Sequence, residues 1–531
     1  MEARSRRRLR FLFWVGGLAL LFALYTSGLK KNPPGFYVDE SAHAYNSYLV
    51  AHTGAGETGP RFPLFFQYYS TGSVQYADCV QIYLLAAVFR FLPASILLAR
   101  MVSALWTFGA CLLLGLLARQ ISGRRTIGVI IAAFALLTPW FFEGRGLLLE
   151  QQFVPAAVAL FLLTVYHVQK KESWRWRDAA LLAATLAVVT YCYTSAFVLG
   201  PLLALGFMLF ATTRQRVAGV IKTWLLYGMT LVPMLLFNRS HPGILAKRLS
   251  DISYIKPGLP WGDIASQFVK RYLEDQSLSG LLVSGDTYPR HHVPGSGGAF
   301  FFATFILAVM GLVITIALRR NSRWWRFVLY GLAVAIVPGA IGNSPFHEMR
   351  LMAYPVFLLL LTVPALEWLL DRAKDKALAP SPSYESGERR WEDRQLVESG
   401  VAGKGSSRAA RVGILCALLA LTLVEGYRFQ IFFRREGPKR SSDFDVAYKD
   451  AYDVAVRQPT RPIYLEDGKG GPAYIHALWY AVVEKRPSSE FIHLAAGAKP
   501  PAGKIVISSA ENCQSCQTIA RSGIYHVYKT L

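Results

Sequence analysis

The chain has 531 residues and carries 57 Lys+Arg against 34 Asp+Glu, a net charge of +23, yet 53% of it is hydrophobic and only 17% is charged. A nucleic-acid binder with such an excess carries more charge and less apolar surface, and a disordered chain does not hold this many apolar residues. What remains is a polytopic membrane protein whose positive charge lies in its loops. Its six cysteines do not make a disulfide scaffold.

The first ten residues hold five arginines and lead into FLFWVGGLALLFALYTSGL. A run of about 19 apolar residues crosses the hydrocarbon layer, so this segment reads as a retained signal anchor with its N-terminus in the cytoplasm. Further apolar runs lie near 95–118, 126–141, 147–168, 178–193, 194–212, 218–237, 299–318, 327–341, 351–371 and 412–430. Together they predict about eleven transmembrane helices. The stretch from Cys79 to Leu92 is interrupted by Gln81 and Arg90 and is too short to span. It reads as an interfacial or re-entrant helix. In this register the short inner loops hold 14 Lys and Arg and the short outer ones hold 2. The positive-inside rule therefore supports the arrangement.

Four longer segments remain. Residues 30–78 and 238–298 are expected outside, and the polar stretch 372–411 inside as a disordered loop. The tail 431–531 is expected outside as a small α/β domain, with a helix at DFDVAYKDAYDVAV and strands at RPIYLED, GKIVISS and GIYHVYK. The expected fold class is thus an all-α polytopic membrane protein, core 1–371 plus a last helix at 412–430, with that small C-terminal α/β domain. Cys513 and Cys516 read as a local disulfide, and Cys111, Cys192 and Cys416 as small apolar residues within spans. GSGG at 295–298 reads as a hinge into the next span.

On this topology the ionisable residues collect on the outer face: Asp39 and Glu40, then Glu143, Arg145 and Glu150, then Asp286, Arg290, His291 and His292, and finally His347, Glu348 and Arg350. Few lie near the middle of a span, where a proton- or ion-coupled transporter needs them. An enzyme working at the outer membrane surface has this distribution. Taken alone, Asp39 reads equally as the cap of the helix that follows it. The many Tyr and Phe of the first outer loop, Phe36 to Tyr69, read as interfacial anchors or as a platform for a sugar or an isoprenoid chain.

The segment GFYVDESAHAYNSYLV, with its acidic pair just after the first span, resembles the first outer loop of the GT-C glycosyltransferases, and more narrowly the protein O-mannosyltransferase and aminoarabinose-transferase group (bacterial glycosyltransferase family 39-like). GETGPRFPLFF, ARMVSALWT, TPWFFEGRGLLLE and HEMRLMAYP support the likeness, and GDTYPRHHVPG is similar to a segment of bacterial members. The motifs cover roughly residues 1–370. One feature departs: many relatives open the helix after the first outer loop with Lys-Pro-Pro, where this chain has SVQYADCVQIYLL.

The resemblance implies an inverting transferase at the outer face of the cytoplasmic membrane. It would take a sugar from a polyprenyl-phosphate donor and pass it to a lipid, glycan or protein acceptor, among membrane lipids and with no nucleic acid. Asp39 is then the general base, and Glu40 orients it, binds a metal or fixes the loop. Arg350, Arg145 and Arg290 become the candidates to hold the donor phosphate in place of the missing lysine. Glu150, His291 and His347 are further substrate-binding candidates, with His291 on a loop that closes over the donor. A divalent metal stays open as a cofactor, with Asp286, His291 and His292, or His347 and Glu348, as the donors considered. The alternative is a non-catalytic or transport-type protein handling lipid-linked glycans.

Overall fold

The computed structural model describes residues 2–70, 75–370, 408–469, 471–495, 497–510, 513 and 515–531. Most of the inner loop expected at 372–411 falls outside the described residues. Among the described residues, four helical stretches are long and apolar enough to cross a membrane: Ile96–Ser122, Glu150–Val168, Arg214–Ser240 and Arg408–Lys439. Shorter apolar helices, including Arg125–Leu137, Phe302–Leu318 and Tyr354–Leu370, pack with them into one bundle.

Glycine sets the closest approaches in that bundle. Gly115 and Gly128 face each other where Ile96–Ser122 crosses Arg125–Leu137, and a Cβ on either would lie within 2.7 Å of the other's carbonyl oxygen. Gly311 lets Phe302–Leu318 lie against Tyr354–Leu370 at the carbonyl of Leu361. Small residues at such crossings are how helices associate where lipid supplies no hydrophobic drive. Tyr354–Leu370 is buried along almost its whole length, which its all-round apolar sequence requires. Arg408–Glu436 is mostly exposed and buries a single stripe, Leu415, Leu418, Thr422, Gly426, Phe429 and Phe433, at helical spacing. Glu425 on that helix accepts from the amides of Phe302 (2.9 Å) and Ala303 (3.1 Å), satisfying donors at the start of the neighbouring helix.

The tail forms a five-stranded sheet in the order Phe491–His493, Ile463–Glu466, Ile505–Ser508, Tyr525–Thr530, Cys516–Ser522. The first three strands run parallel and the last two pair antiparallel. Helix Tyr474–Val483 crosses between the first parallel pair, and helix Val446–Arg457 packs on the other strands. Cys513 and Cys516 are joined by a disulfide.

This domain shares one hydrophobic core with the first long loop. Trp479 stacks on Phe36 (5.8 Å) and on Phe89 (5.9 Å). His476 Nδ1 lies 2.8 Å from Ser41 Oγ, and the Tyr474 hydroxyl donates to the Glu57 carboxylate at 2.8 Å. Gly35 passes so close to the Phe444 carbonyl that a Cβ there would sit 2.0 Å from its oxygen. The aromatic residues of the loop therefore serve largely as core: Phe36, Phe65, Phe66, Tyr68 and Tyr69 are all buried, while Phe62 stays exposed. Neither interfacial anchoring nor an open platform describes these buried rings, because the C-terminal domain and helix Cys79–Phe89 cover Phe36, Phe66, Tyr68 and Tyr69, and Phe65 packs on Tyr191 and Phe237.

Candidate functional site where the loops meet

Helix Val38–Thr53 starts one residue before Asp39, with Tyr37 as its N-cap residue. Asp39 is thus in the first turn and is not the cap. Glu40 closes the turn instead, accepting from the Tyr37 amide at 3.0 Å. Its other oxygen accepts from the Leu148 amide (3.0 Å), and Arg100 pairs with it at 3.3 Å. Arg100 also donates to the carbonyls of Pro33 and Gly35. Glu40 is fully enclosed, and burial raises its pKa against the opposing pull of Arg100 and the Leu148 amide. Of the roles considered for it, fixing the loop is the one these contacts describe. Asp39, by contrast, is half-buried and accepts a hydrogen bond from the Tyr69 hydroxyl.

Three segments converge beside it. Leu147, Leu149, Met349 and Phe444 form a small cluster against Tyr37. The Arg290 guanidinium lies 3.5 Å from the centre of the Tyr37 ring, and burial lowers its pKa against the pull of Asp445 and Asp443. The next residue after Met349 is Arg350, which lines a narrow cleft with Val154, Tyr193, Ser195 and Pro338. Its Nη1 lacks a hydrogen-bond partner among the described residues. Glu150 is buried on the floor of the same region and accepts from the Asp78 amide at 3.0 Å, while Asp78 itself faces the Thr194 hydroxyl at 3.4 Å. Tyr193 and Ser195 flank Thr194, which joins this acid pair to the Arg350 cleft.

Arg145 is placed differently. Its guanidinium donates to the carbonyls of Tyr25 (2.7 Å) and Phe142 and lies over the Phe142 ring at 3.3 Å. Burial lowers its pKa to about 9. These contacts make it a packing residue between the first helix and the Pro139–Gly144 helix, not a group facing the Arg350 cleft.

The histidines separate into two groups. Neighbours in a loop point apart, and His291 Nδ1 meets Asp286 at 2.9 Å while His292 Nδ1 meets Glu143 at 3.0 Å and Glu348 at 3.5 Å. His347 Nδ1 is 4.0 Å from Asp286, completing the first trio. Burial lowers the His347 pKa to about 3, with His291 and Arg350 acting the same way, so this ring is neutral. Burial also acts to raise Asp286, but its hydrogen bond and charge contact with His291 outweigh that and hold it low. For His292, burial acts to lower the pKa, and Glu143 and Glu348 outweigh it, giving about 10. Glu348 is raised by burial.

Sequence reasoning missed Asp78, Tyr69, Arg100 and Asp445. Asp78 had one signal, its position just before helix Cys79–Phe89 where relatives carry Lys-Pro-Pro. Asp445 had none: it accepts from the Val38 amide at 3.2 Å across 407 residues of chain.

No family model matches the chain, and no curated protein does. Among solved structures it is similar to ArnT from Cupriavidus metallidurans in the apo state, with a TM-score of 0.57 at 12% identity and 98% of each chain covered. The same protein bound to undecaprenyl phosphate gives 0.52, also at 12% identity and 98% coverage of each. The apo oligosaccharyltransferase of Archaeoglobus fulgidus gives 0.50 at 15% identity, over 89% of this chain and 64% of that one. The chain has the fold of the GT-C membrane glycosyltransferases. The GT-C likeness runs through the C-terminal domain as well, which the sequence motifs did not reach.

Proposed function

We propose that this protein is an inverting glycosyltransferase that moves a sugar from a polyprenyl-phosphate donor to an acceptor at the outer face of the cytoplasmic membrane. Asp39 takes the acceptor's proton as the new glycosidic bond forms, and Tyr69 sets the orientation of its carboxylate. Breaking the bond between the anomeric carbon and the donor oxygen leaves negative charge on the polyprenyl phosphate. Arg350 and Arg290 are the cations available to offset it. Glu40 contributes by holding Asp39's helix turn to Arg100 and to the 147–149 segment. Glu150 and Asp78 form the polar floor next to the Arg350 cleft. His291 and His347, on the loops that carry the two arginines, shape the approach to the donor.

The observation that carries this reading is the meeting of Tyr37, Arg290, Leu149 and Met349 in one place. It puts a half-buried carboxylate and two guanidinium groups on segments that touch. The fold neighbour whose structure holds undecaprenyl phosphate supports the donor class. The test is transfer of a radiolabelled sugar from a polyprenyl-phosphate donor in membranes containing Asp39→Asn. The reading expects no transfer with unchanged membrane insertion, and full transfer by that variant removes Asp39 as the base.

A further inference from the structure

Beside the proposed reaction site lies a buried side-chain cluster of different chemistry. Glu143 comes from the Pro139–Gly144 helix, His292 from the long loop before helix Phe302–Leu318, and Glu348 from the turn before Tyr354–Leu370. One donor atom from each lies within 4.8 Å of the others, and all three residues are buried.

The ring of His292 has a defined orientation. Its Nε2 lies 2.8 Å from the Gly297 carbonyl oxygen and donates to it. Once a cation displaces the Nδ1 proton, a ring held this way turns its Nδ1 lone pair toward Glu143 and Glu348, at 3.0 and 3.5 Å. A carbonyl behind a histidine is the arrangement that fixes the tautomer of a metal-ligating imidazole. The spacing also fits, because bonds of about 2.0–2.1 Å to one tetrahedral cation put neighbouring ligand atoms roughly 3.3 Å apart.

The carboxylates are unequally served. Glu143 accepts from the Val293 amide (3.2 Å) and the Ser296 hydroxyl (3.3 Å), and Glu348 Oε1 accepts from the Asp286 amide (3.0 Å). Glu348 Oε2 has no hydrogen-bond partner although its side chain is wholly enclosed. An unpaired carboxylate oxygen sealed from solvent is costly unless a cation meets it. In the neighbouring trio both Asp286 oxygens are met, by the Tyr288 and Glu348 amides and by His291, and the unpaired atom is a nitrogen, His347 Nδ1, with no unpaired carboxylate oxygen beside it.

We infer that Glu143, His292 and Glu348 bind one divalent transition-metal ion, zinc by the chemistry of a mixed imidazole and carboxylate set. Two carboxylates and a neutral imidazole balance its charge, and three protein donors leave a coordination position for a further oxygen ligand. The ion staples three segments that are far apart in sequence. Two of them carry the arginines of the proposed site, Arg290 two residues before His292 and Arg350 two residues after Glu348.

The test is metal analysis of the full-length protein purified in detergent without added metal, followed by melting with a chelator and with zinc or magnesium returned. About one zinc per chain is expected, with a chelator-induced Tm loss of roughly 5 °C that zinc and not magnesium restores. Glu348→Gln should lose the metal, and His347→Ala, which alters only the neighbouring trio, should keep it. Because Glu348→Gln may also disturb folding, cobalt is titrated into the stripped wild-type protein, where ligand-field absorption bands are expected and His347→Ala leaves them unchanged. A protein that carries no metal, shows no cobalt bands and melts alike with and without chelator overturns the inference. It would mean that His292 is an imidazolium shared by the two carboxylates. Loss of metal in His347→Ala with retention in Glu348→Gln overturns it as well, by moving the ion to the adjacent trio.

Discussion

Asp39 and the Glu143–His292–Glu348 group lie on neighbouring segments and are both rich in carboxylate, yet they are built to opposite ends. Asp39 is half-buried, at the mouth of a helix, with a phenol on one of its oxygens. The other group is sealed, its charges answered from within by ring, amide and hydroxyl except at Glu348 Oε2. A carboxylate that must accept a proton from a substrate needs access and a modest cage. Carboxylates that hold loops together need enclosure. Glu40, one residue from Asp39, belongs with the second kind, since it is enclosed and paired with Arg100. Adjacent residues on one turn thus differ in access, one half-open to a substrate and the other locked into the fold.

The largest break in this contrast should come from Asp39→Asn, which removes a general base and keeps an oxygen to accept from the Tyr69 hydroxyl. Turnover is expected to fall by about 10²–10⁴-fold in a transfer assay, with the melting temperature within a degree or so of wild type. Arg100→Ala should do the reverse. It strands the enclosed Glu40 charge, and a loss of about 3–5 kcal/mol in unfolding free energy is expected, read from the melting curve or from accelerated proteolysis of the first loop. Trp479→Ala removes the ring stacked on Phe36 and Phe89, and should cost about 3–5 kcal/mol of domain docking, seen as earlier release of the C-terminal domain in limited proteolysis. Tyr69→Phe keeps the packing and removes the hydroxyl that orients Asp39, so a rate loss of roughly 10-fold with an unchanged melting temperature is expected.

A separate prediction concerns pH. Asp275 accepts from the Phe346 amide at 2.7 Å, and burial raises its pKa from 3.8 to about 7. The folded chain therefore holds this proton to about pH 7, while the unfolded chain releases it near 4. Stability should decline as pH rises across that window and level off above it. Asp275→Asn is expected to flatten that part of the profile, and an unchanged slope in its melting series would remove Asp275 as the source.

Some of this was legible from residues alone. The acidic pair after the first apolar run, the HEMR turn and the GDTYPRHHVPG segment mark the segments that converge, because short motifs keep their meaning wherever they are placed. The reasoning that adjacent histidines point apart also applies to His291 and His292, but it does not say what each would meet. Arg145 shows the limit most clearly. In sequence it is as good a phosphate ligand as Arg350, and only the packing of Tyr25 and Phe142 around it turns it inward.

By itself the sequence determined the membrane class, through apolar runs and the placement of basic loops, and the candidate base, through its position after the first run. These are local properties, carried by periodicity and composition over a few turns. Tertiary structure alone decided which acids stay accessible and which are enclosed. Glu40 finds Leu148 across 108 residues, Glu143 finds His292, and Asp445 reaches back to Val38 from the far end of the chain. Such pairings depend on how helices and loops fill space around one another, and burial then decides whether a charge is left available or must be answered at once.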